Sequence, residues 1–402
     1  MRLVLVAPFA IHPKGTTRWR VLPLARALAA QGHAVRVVIP PYDWPQHSGL
    51  VWRDQGVEVV NVVVPTGAGP VGPLLLAQRL VRAALAWQPE LVHVFKPKGP
   101  GGLAALALLA AWARGGGGGV SPPLRCVVVD TDDYEAGWNE ILDYPALWAR
   151  VFAWQERVLL RRAHAVTAAS RWLVQFAAGL GQPQVTYLPN GIEFSCSQDA
   201  MPASLTVAGT EADAMRPVLL YTRFVEHTPA EVWRVWRLVL AAQPDAQLLV
   251  VGQGHAGEAQ QLAHLAAQAG AGRSVRLLGW LPASARPGLF AAVDAALLPV
   301  ADTPLNRAKS PMRLLDLLAA GVPVATQRVG EYGTLVIDGV SGLLAEPGDA
   351  AGLAACVLRL LRSPELRGQL GQGAASSLRA GHTWPDLAQV ALAAYRTCCP
   401  PP

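Results

Sequence analysis

Two successive series of short apolar runs alternate with segments of helical periodicity along this chain. Runs such as "RLVLVAP" and "AVRVVIP" are apolar throughout, which is typical of strands buried on both faces. Helical segments separate these runs, and strands that alternate with helices form parallel, doubly wound sheets. The sequence therefore predicts an α/β protein with two Rossmann-like parallel-sheet domains that face each other across a cleft.

The length of 402 residues exceeds what one hydrophobic core normally organises. We predict a first domain over residues 1–194 and a linker over 195–215, where periodicity is lost. A second domain is expected over 216–382. The last segment, 383–402, is predicted to form a helix that crosses back to the first domain.

The chain is basic, with a formal net charge of +6. Such a balance suits anionic small molecules, nucleic acid or an anionic membrane face. Most of the positive charge comes from scattered arginines, which argues against nucleic acid as a partner. The densest basic segment, Trp148–Val166, is either a solvated helix face or a surface for peripheral contact with a membrane.

The five cysteines show no metal-binding or disulfide spacing, which favours a reducing compartment. No apolar run reaches the roughly 18 residues of a transmembrane helix. We therefore expect a cytoplasmic protein, with peripheral contact at the inner membrane face left open.

Ligands of open parallel sheets bind outside the carboxyl ends of the strands, and in a tandem of two domains the cleft between them is the expected site. No G-x-G-x-x-G follows the first strand, and no G-x-x-x-x-G-K-[ST] occurs. A dinucleotide oxidoreductase and a P-loop enzyme are therefore poorly supported.

Two loops of the first series place polar groups at strand ends. Gly15 and Thr16 follow the first strand and open a helix, where backbone N–H groups suit an anion or sugar hydroxyls. A simple helix cap explains the threonine equally well. His93, Lys96 and Lys98 lie in and after the strand "LVHVF", and we expect a functional loop there.

Four carboxylates cluster after the strand "LRCVVVD", namely Asp130, Asp132, Asp133 and Glu135. Like charges this close raise at least one pKa unless cations or hydrogen bonds intervene. The cluster can act as a general base, hold a divalent metal or accept sugar hydroxyls. Alternatively, these carboxylates only cap a helix and stabilise a turn, without a role in function.

The second series repeats this arrangement. Arg223 follows the strand "PVLLY", where a guanidinium suits a phosphate oxygen pair or forms a surface ion pair. Gly252 and Gly254 follow the next strand and permit close approach of a base or ribose. An ordinary tight turn is an equal alternative for these glycines.

A helix is predicted over Pro311–Ala320, with Ser310 as its N-cap and Gly321 just past its end. Its N-terminus carries partial positive charge, and Lys309, one of only four lysines in the chain, adds a full charge beside it. Together they suit a pyrophosphate. Asp316 lies on the same helix and can accept two ribose hydroxyls, unless it is simply an exposed surface carboxylate.

The segment Lys309–Asp349 resembles the nucleotide-sugar signature of GT-B glycosyltransferases, specifically the large retaining family (family 4-like, group 1) that includes bacterial mannosyltransferases and the sucrose and glycogen synthase relatives. "YLPNGIE", "LLYTR" and "LLVVGQG" resemble further motifs of this family. The resemblance implies transfer of a hexose from a nucleotide-diphosphate sugar to a hydroxyl acceptor, with retention. It also implies no cofactor and no metal, since cations of the protein can neutralise the diphosphate.

Residue roles follow from position in these motifs. The residues expected in catalysis are Asp132, Asp133 and Lys309. Those expected to contact the donor are Gly15, Thr16, Arg223, Gly252, Gly254, Lys309, Ser310 and Asp316. Those expected on the acceptor side are His93, Lys96, Lys98 and Glu135.

Three positions depart from the family pattern. Ala308 stands where a first carboxylate is usual, and Asp316 replaces the second, usually Glu. No lysine follows Arg223 at the usual distance, where the chain has Glu226 and His227. The usual histidine after the fifth strand is replaced by the acidic cluster. A non-catalytic nucleotide-sugar-binding subunit is therefore the alternative, and a GT-B epimerase is disfavoured because its motifs differ.

Overall fold

The computed structural model describes residues 1–115, 124–142, 144–193, 216–379 and 381–399. The linker predicted over 195–215 lies outside them. The first series comprises β1 (Arg2–Val6), α1 (Leu22–Ala30), β2 (Ala34–Ile39), β3 (Val51–Asp54), β4 (Val57–Asn61), α2 (Gly72–Leu85), β5 (Leu91–Phe95), α3 (Gly99–Gly115), β6 (Cys126–Thr131), α4 (Glu135–Ile141), α5 (Ala146–Arg162), β7 (Ala165–Ala168), α6 (Arg171–Gly179) and β8 (Val185–Tyr187).

The second series continues the alternation. It comprises β9 (Arg216–Tyr221), α7 (Pro229–Ala242), β10 (Ala246–Val251), α8 (Glu258–Gln268), β11 (Val275–Gly279), α9 (Arg286–Ala291), β12 (Ala295–Leu298), α10 (Pro304–Ala308), α11 (Met312–Ala319), β13 (Val324–Gln327), α12 (Tyr332–Leu335), β14 (Leu343–Ala345), α13 (Ala350–Arg362) and α14 (Pro364–Arg379). The last helix is α15 (Trp384–Cys398).

These strands form two sheets. The first has the order β3-β4-β2-β1-β5-β6-β7-β8, in which only β3 and β4 pair antiparallel, and the second, β11-β10-β9-β12-β13-β14, is parallel throughout. The predicted pair of parallel-sheet α/β domains is thereby confirmed. Because β5 and β6 are neighbours in the first sheet, the loops that follow them meet at one edge.

Each sheet is buried on both faces. Successive side chains of a strand point to opposite faces, and in β1 Leu3 and Leu5 enter one apolar core while Val4 and Val6 enter another. In β9, Val218 and Leu219 divide in the same way. This explains why the strands are apolar without alternation.

The chain forms two compact units. The first contains Met1–Gly191, Ala308–Ser310 and His382–Pro402, and the second contains Ile192–Arg307 and Pro311–Gly381. The last helix, α15, packs against α1 of the first unit. A Cβ on Gly191 would come within 2.9 Å of the Trp384 ring, so the glycine of "YLPNGIE" permits this contact. Within the parts of the chain that the structure describes, no helix combines the length and apolar character needed to cross a bilayer.

Candidate functional site

Three carboxylates converge on the ammonium group of Lys96 in the first unit. Its Nζ lies 2.8 Å from Asp132 Oδ1, 2.7 Å from Asp133 Oδ2 and 3.1 Å from Glu135 Oε1. The ammonium group donates hydrogen bonds to Asp133 and Glu135 and forms an ion pair with Asp132. Burial acts to lower the pKa of Lys96, but the three carboxylates raise it well above its ordinary value. Lys96 is therefore a buried, permanently charged centre of this cluster.

The topology explains why these residues meet. Lys96 follows β5, and Asp132 and Asp133 follow the neighbouring β6. The backbone N–H of Lys96 donates to Asp130 O at 3.0 Å. Lys96 has φ +61°, a left-handed conformation that costs a non-glycine residue about 1 kcal/mol or more. Its three ion pairs and this backbone bond stabilise that conformation.

The two aspartates have different acidities. Burial raises the pKa of Asp132 to about 6, and its Oδ2 accepts a hydrogen bond from Thr16 Oγ1 at 3.0 Å. Burial acts in the same direction on Asp133, but Lys96 outweighs it and lowers the pKa of Asp133 below its ordinary value. Asp132 can therefore exchange a proton near neutral pH, whereas Asp133 stays ionised.

The carboxylates Asp132, Asp133 and Glu135 each have an oxygen within 4.8 Å of the others, a spacing that can hold a divalent cation. The Lys96 ammonium contacts all three. A metal ion bound there would have to displace a buried charge, so we interpret Lys96 as the cation of this cluster. Lys96, predicted on the acceptor side, instead organises the carboxylates.

Asp130, the first carboxylate of the acidic run, belongs to a separate buried network. Arg20 Nε and Nη2 donate to its two oxygens at 2.8 and 2.6 Å, and Thr167 Oγ1 donates at 2.6 Å. Arg20 also donates to Leu188 O at 2.7 Å. This network ties the segment just before α1 to β6, β7 and the residue after β8, and it is structural.

His93 is fully buried within β5, which differs from its expected place on the acceptor side. Its Nδ1 lies 2.7 Å from Tyr395 Oη and its Nε2 lies 3.0 Å from Thr167 Oγ1. Burial lowers its pKa to about 4, so the ring is neutral. Both nitrogens have protein partners, and we therefore assign His93 to the attachment of α15 to the sheet.

Lys98 is the more accessible lysine of this loop. Its Nζ pairs with Glu135 Oε2 and lies 5.7 Å from the centre of the Tyr144 ring and 5.8 Å from that of Phe152. Its side chain is 19% exposed. Among the acceptor-side residues named from the sequence, Lys98 has the clearest access to a bound molecule.

The segment Ala308–Ser310 corrects one expectation. Ser310 does not cap the following helix, which begins at Met312 without a side-chain cap. Its Oγ instead accepts a hydrogen bond from Asn190 N at 2.9 Å, and its carbonyl accepts one from Asn190 Nδ2 at 2.9 Å. Lys309 Nζ lies 5.5 Å from the Trp138 ring centre, and Ala308 is fully buried in an apolar cluster.

In the second unit, steric contacts with neighbouring residues explain why the two positions after β10 are glycines. Gly252 has φ +120°, and a Cβ there would lie 1.8 Å from Thr222 O. Gly254 has φ +78°, and a Cβ there would lie 2.0 Å from Glu258 Oε2. Only glycine fits either position. The loop after β10 thus packs directly on the loop after β9, which carries the exposed Arg223.

Asp316 lies on α11 beside Arg286, a residue that the sequence motifs did not indicate. Its Oδ2 is 3.4 Å from Arg286 Nη1, and burial raises its pKa to about 6, against the opposing effects of Arg286 and Arg313. Arg313 Nη2 donates to Glu226 Oε1 at 2.7 Å. The carboxylate of Asp316 and the guanidinium groups of Arg286 and Arg313 therefore act on one another in the second unit.

Two family models match the chain in sequence. The glycosyl transferase 4-like domain matches residues 15–191, and the glycosyl transferases group 1 domain matches residues 218–363. The chain belongs to the group 1 family of glycosyltransferases. Its family resemblance, noted from the motifs, is thereby confirmed.

Relatives of this glycosyltransferase match it over nearly its whole length. It is 24% identical to a phosphatidyl-myo-inositol mannosyltransferase of Mycobacterium leprae, over 99% of this chain and 97% of the relative. Sucrose-phosphate synthase from Thermosynechococcus elongatus has a similar structure, with a TM-score of 0.71, 18% identity and 99% coverage of both chains. Anabaena HepE, solved with UDP and glucose, gives a TM-score of 0.65 at 18% identity, covering 99% of this chain and all of HepE. These structures show that the glycosyltransferase has the GT-B fold.

One sequence signal could have indicated Arg313. It precedes Asp316 by three residues on a predicted helix, a spacing that places two side chains on neighbouring positions of one face. Arg286 offers no comparable local signal, because it reaches Asp316 from another helix 30 residues away.

Proposed function

We propose that this glycosyltransferase transfers a hexose from a nucleoside-diphosphate sugar to a hydroxyl acceptor, with retention of configuration. The observation that carries the proposal is Asp316, a partly buried carboxylate flanked by Arg286 and Arg313 in the unit that the group 1 model matches. A carboxylate accepts two ribose hydroxyls, and guanidinium groups bind phosphate oxygens in pairs.

On the donor side, Asp316 binds the ribose and Arg223 contacts the diphosphate. Lys309 adds a second positive charge for the diphosphate, and Ser310 presents its oxygen beside it. The loop of Gly252 and Gly254 receives the nucleoside in this proposal, as its place in the family motif implies. Gly15 and Thr16 contact the donor from the first unit.

In the reaction, the bond between the anomeric carbon and the phosphate oxygen breaks, and the nucleoside diphosphate leaves with the electron pair. The acceptor oxygen forms the new bond to the same carbon, and its proton passes to the departing phosphate. The acceptor attacks the face of the sugar from which the diphosphate departs, so the configuration of the anomeric carbon is retained. Preorganised cations stabilise the charge that develops on the leaving group.

Asp132 and Asp133 position the sugar hydroxyls or the acceptor. Their partner Lys96 holds them in place, and Thr16 donates to Asp132. Lys98 lies next to this pair and contacts the acceptor. Glu135, predicted on the acceptor side, is buried and instead pairs with Lys96 and Lys98. Because Arg223 and Lys309 neutralise the departing diphosphate in this proposal, the reaction requires no metal ion.

The donor class is tested by thermal-shift screening with UDP-, GDP- and ADP-sugars. The similar proteins named above include a mannosyltransferase and a protein solved with UDP and glucose, so mannose and glucose donors are screened first. A stabilising nucleotide sugar is then assayed for sugar transfer and for hydrolysis. No stabilisation by any nucleotide sugar, with the folded protein at saturating ligand, would contradict the proposal.

A non-catalytic nucleotide-sugar-binding subunit is the second candidate. Ala308, at the position of the usual first carboxylate, is fully buried among Ala168 and Leu173 and offers no charge to a transition state. Binding of a nucleotide sugar without any transfer or hydrolysis would favour this candidate over the enzyme.

A further inference from the structure

A stripe of apolar and basic side chains runs along the exposed face of α5. Leu147 is 70% exposed and Trp154 is 54% exposed, and Arg150, Arg157 and Arg161 are exposed as well. Their spacing of three and four residues places all five on one helix face. This α5 stripe is about 21 Å long, at 1.5 Å per residue.

The α5 stripe is positively charged and has no acidic side chain from its own helix. The one acidic residue of α5, Glu156, is fully buried. Its carboxylate accepts hydrogen bonds from Glu135 N at 2.8 Å and from Ala136 N at 3.2 Å. The helix therefore directs its acidic group inward, to the start of α4, and its arginines outward.

Neighbouring side chains extend the apolar part of this surface. Ile141 and Leu142 at the end of α4 are 42% and 43% exposed, and Trp148 is 44% exposed. An exposed apolar surface beside a row of charged side chains is typical of an interaction site. A second copy of the chain is a poor occupant, because two such stripes would bring like charges together.

We propose that the α5 stripe binds the surface of a bilayer that contains anionic lipids. A helix with arginines beside aromatic and aliphatic residues lies in the membrane interface, with its apolar side chains among the acyl chains. Tryptophan is enriched at that depth, and each arginine near an anionic surface increases the affinity about fivefold.

The test is binding of the full chain, without substrate, to phosphatidylcholine vesicles with and without 30 mol% (about one third) phosphatidylglycerol, in low and high salt. We expect binding only to the anionic vesicles, weakened by salt because surface charges are screened. Since each arginine contributes about fivefold in affinity, the double variant Arg150→Ala/Arg157→Ala is expected to bind about thirtyfold more weakly. Trp154→Ala is expected to bind about tenfold more weakly.

Matched controls come from the second unit. Arg234→Ala/Arg237→Ala removes two exposed arginines from α7, and Trp280→Ala removes a tryptophan that is 56% exposed. Both are expected to bind like the wild type. The substituted residues of all four variants are exposed, so the circular dichroism and Tm of each variant should match those of the wild type.

Several outcomes would overturn the proposal. These are no binding of the wild type to anionic vesicles, equal binding of the α5 variants, or equal losses in the α7 and Trp280 controls. A change of oligomeric state in the α5 variants, with vesicle binding unchanged, would instead make the stripe a contact between copies. The measurement needs no sugar transfer, so its result is independent of the proposed reaction.

Discussion

Replacing Lys96 by methionine removes the buried cation from three carboxylates at once. The side chains of Asp132 and Glu135 are 9% and 1% exposed, and that of Asp133 is 23% exposed. Breaking a buried ion pair by deleting one partner costs about 3–5 kcal/mol, because the remaining charge stays buried without compensation. We expect Lys96→Met to lower the free energy of unfolding by about that amount at pH 7.5.

The loss should depend on pH in a defined direction. Without Lys96, repulsion and burial raise the folded-state pKa of these carboxyls above the unfolded values of about 4. A group with a raised folded pKa contributes stability at low pH and loses it as the pH rises through the folded pKa. The deficit of the variant should therefore shrink when the pH falls from 7.5 to 5.

Urea unfolding at these two pH values measures both effects. Arg328→Met is the matched control, because Arg328 and Glu346 are 48% and 71% exposed, a surface pair of little worth. A deficit for Lys96→Met no larger than that of the control would refute the reading of Lys96 as the cation of the cluster. So would a deficit that is the same at pH 5 and pH 7.5.

Further predictions concern the donor, the metal and the core. Asp316→Asn should weaken nucleotide binding about tenfold at pH 7.5 (~1.4 kcal/mol). The wild type should lose affinity as the pH falls through about 6, where Asp316 takes up its proton; calorimetry from pH 5 to 8 tests both, and a flat profile contradicts the ribose contact. Lys309→Ala should also weaken binding about tenfold, and unchanged affinity would remove it from the donor site. Transfer activity should survive EDTA, and loss restored by Mg²⁺ would contradict a metal-free reaction. Asp130→Ala should cost about 3–5 kcal/mol in urea unfolding because Arg20 is left buried; a loss below 1 kcal/mol (about a surface effect) would argue against that network.

Most of the architecture could be predicted from the sequence, because buried parallel strands and the helices between them have distinct patterns. The runs "RLVLVAP" and "PVLLY" both became central strands, β1 and β9. Strand order could not be predicted in the same way. Nothing local in the sequence says that β5 and β6 are neighbours, and that neighbour relation brings Lys96 to Asp132 and Asp133.

Local rules failed where a tertiary contact competes for the same atom. Ser310 has the residue type and position of an N-cap, but its oxygen accepts a hydrogen bond from Asn190, 120 residues earlier in the chain. The sequence groups His93 with the loop after β5, but it lies in the middle of that strand, where α15 covers it and Tyr395 contacts its ring. Such contacts between distant segments are invisible to propensity and spacing.

The two candidate clusters are built from different kinds of ion pair. In the first unit, Lys96 and Lys98 pair with Asp132, Asp133 and Glu135, and the positive charge of Lys309 also lowers the pKa of Asp133. In the second unit, Arg286 pairs with Asp316 and Arg313 pairs with Glu226.

Sugar transfer develops positive charge on the sugar and negative charge on the departing diphosphate. Fixed charges that are already in place stabilise such developing charge without reorganisation during the step. We propose that the first cluster acts in the chemical step and the second in binding of the nucleotide. Neutralising Asp133 with asparagine should lower kcat while leaving nucleotide affinity nearly unchanged, whereas neutralising Arg313 with glutamine should weaken nucleotide affinity. The reverse assignment, with affinity lost in Asp133→Asn and kept in Arg313→Gln, would mean that the acidic cluster belongs to the donor site.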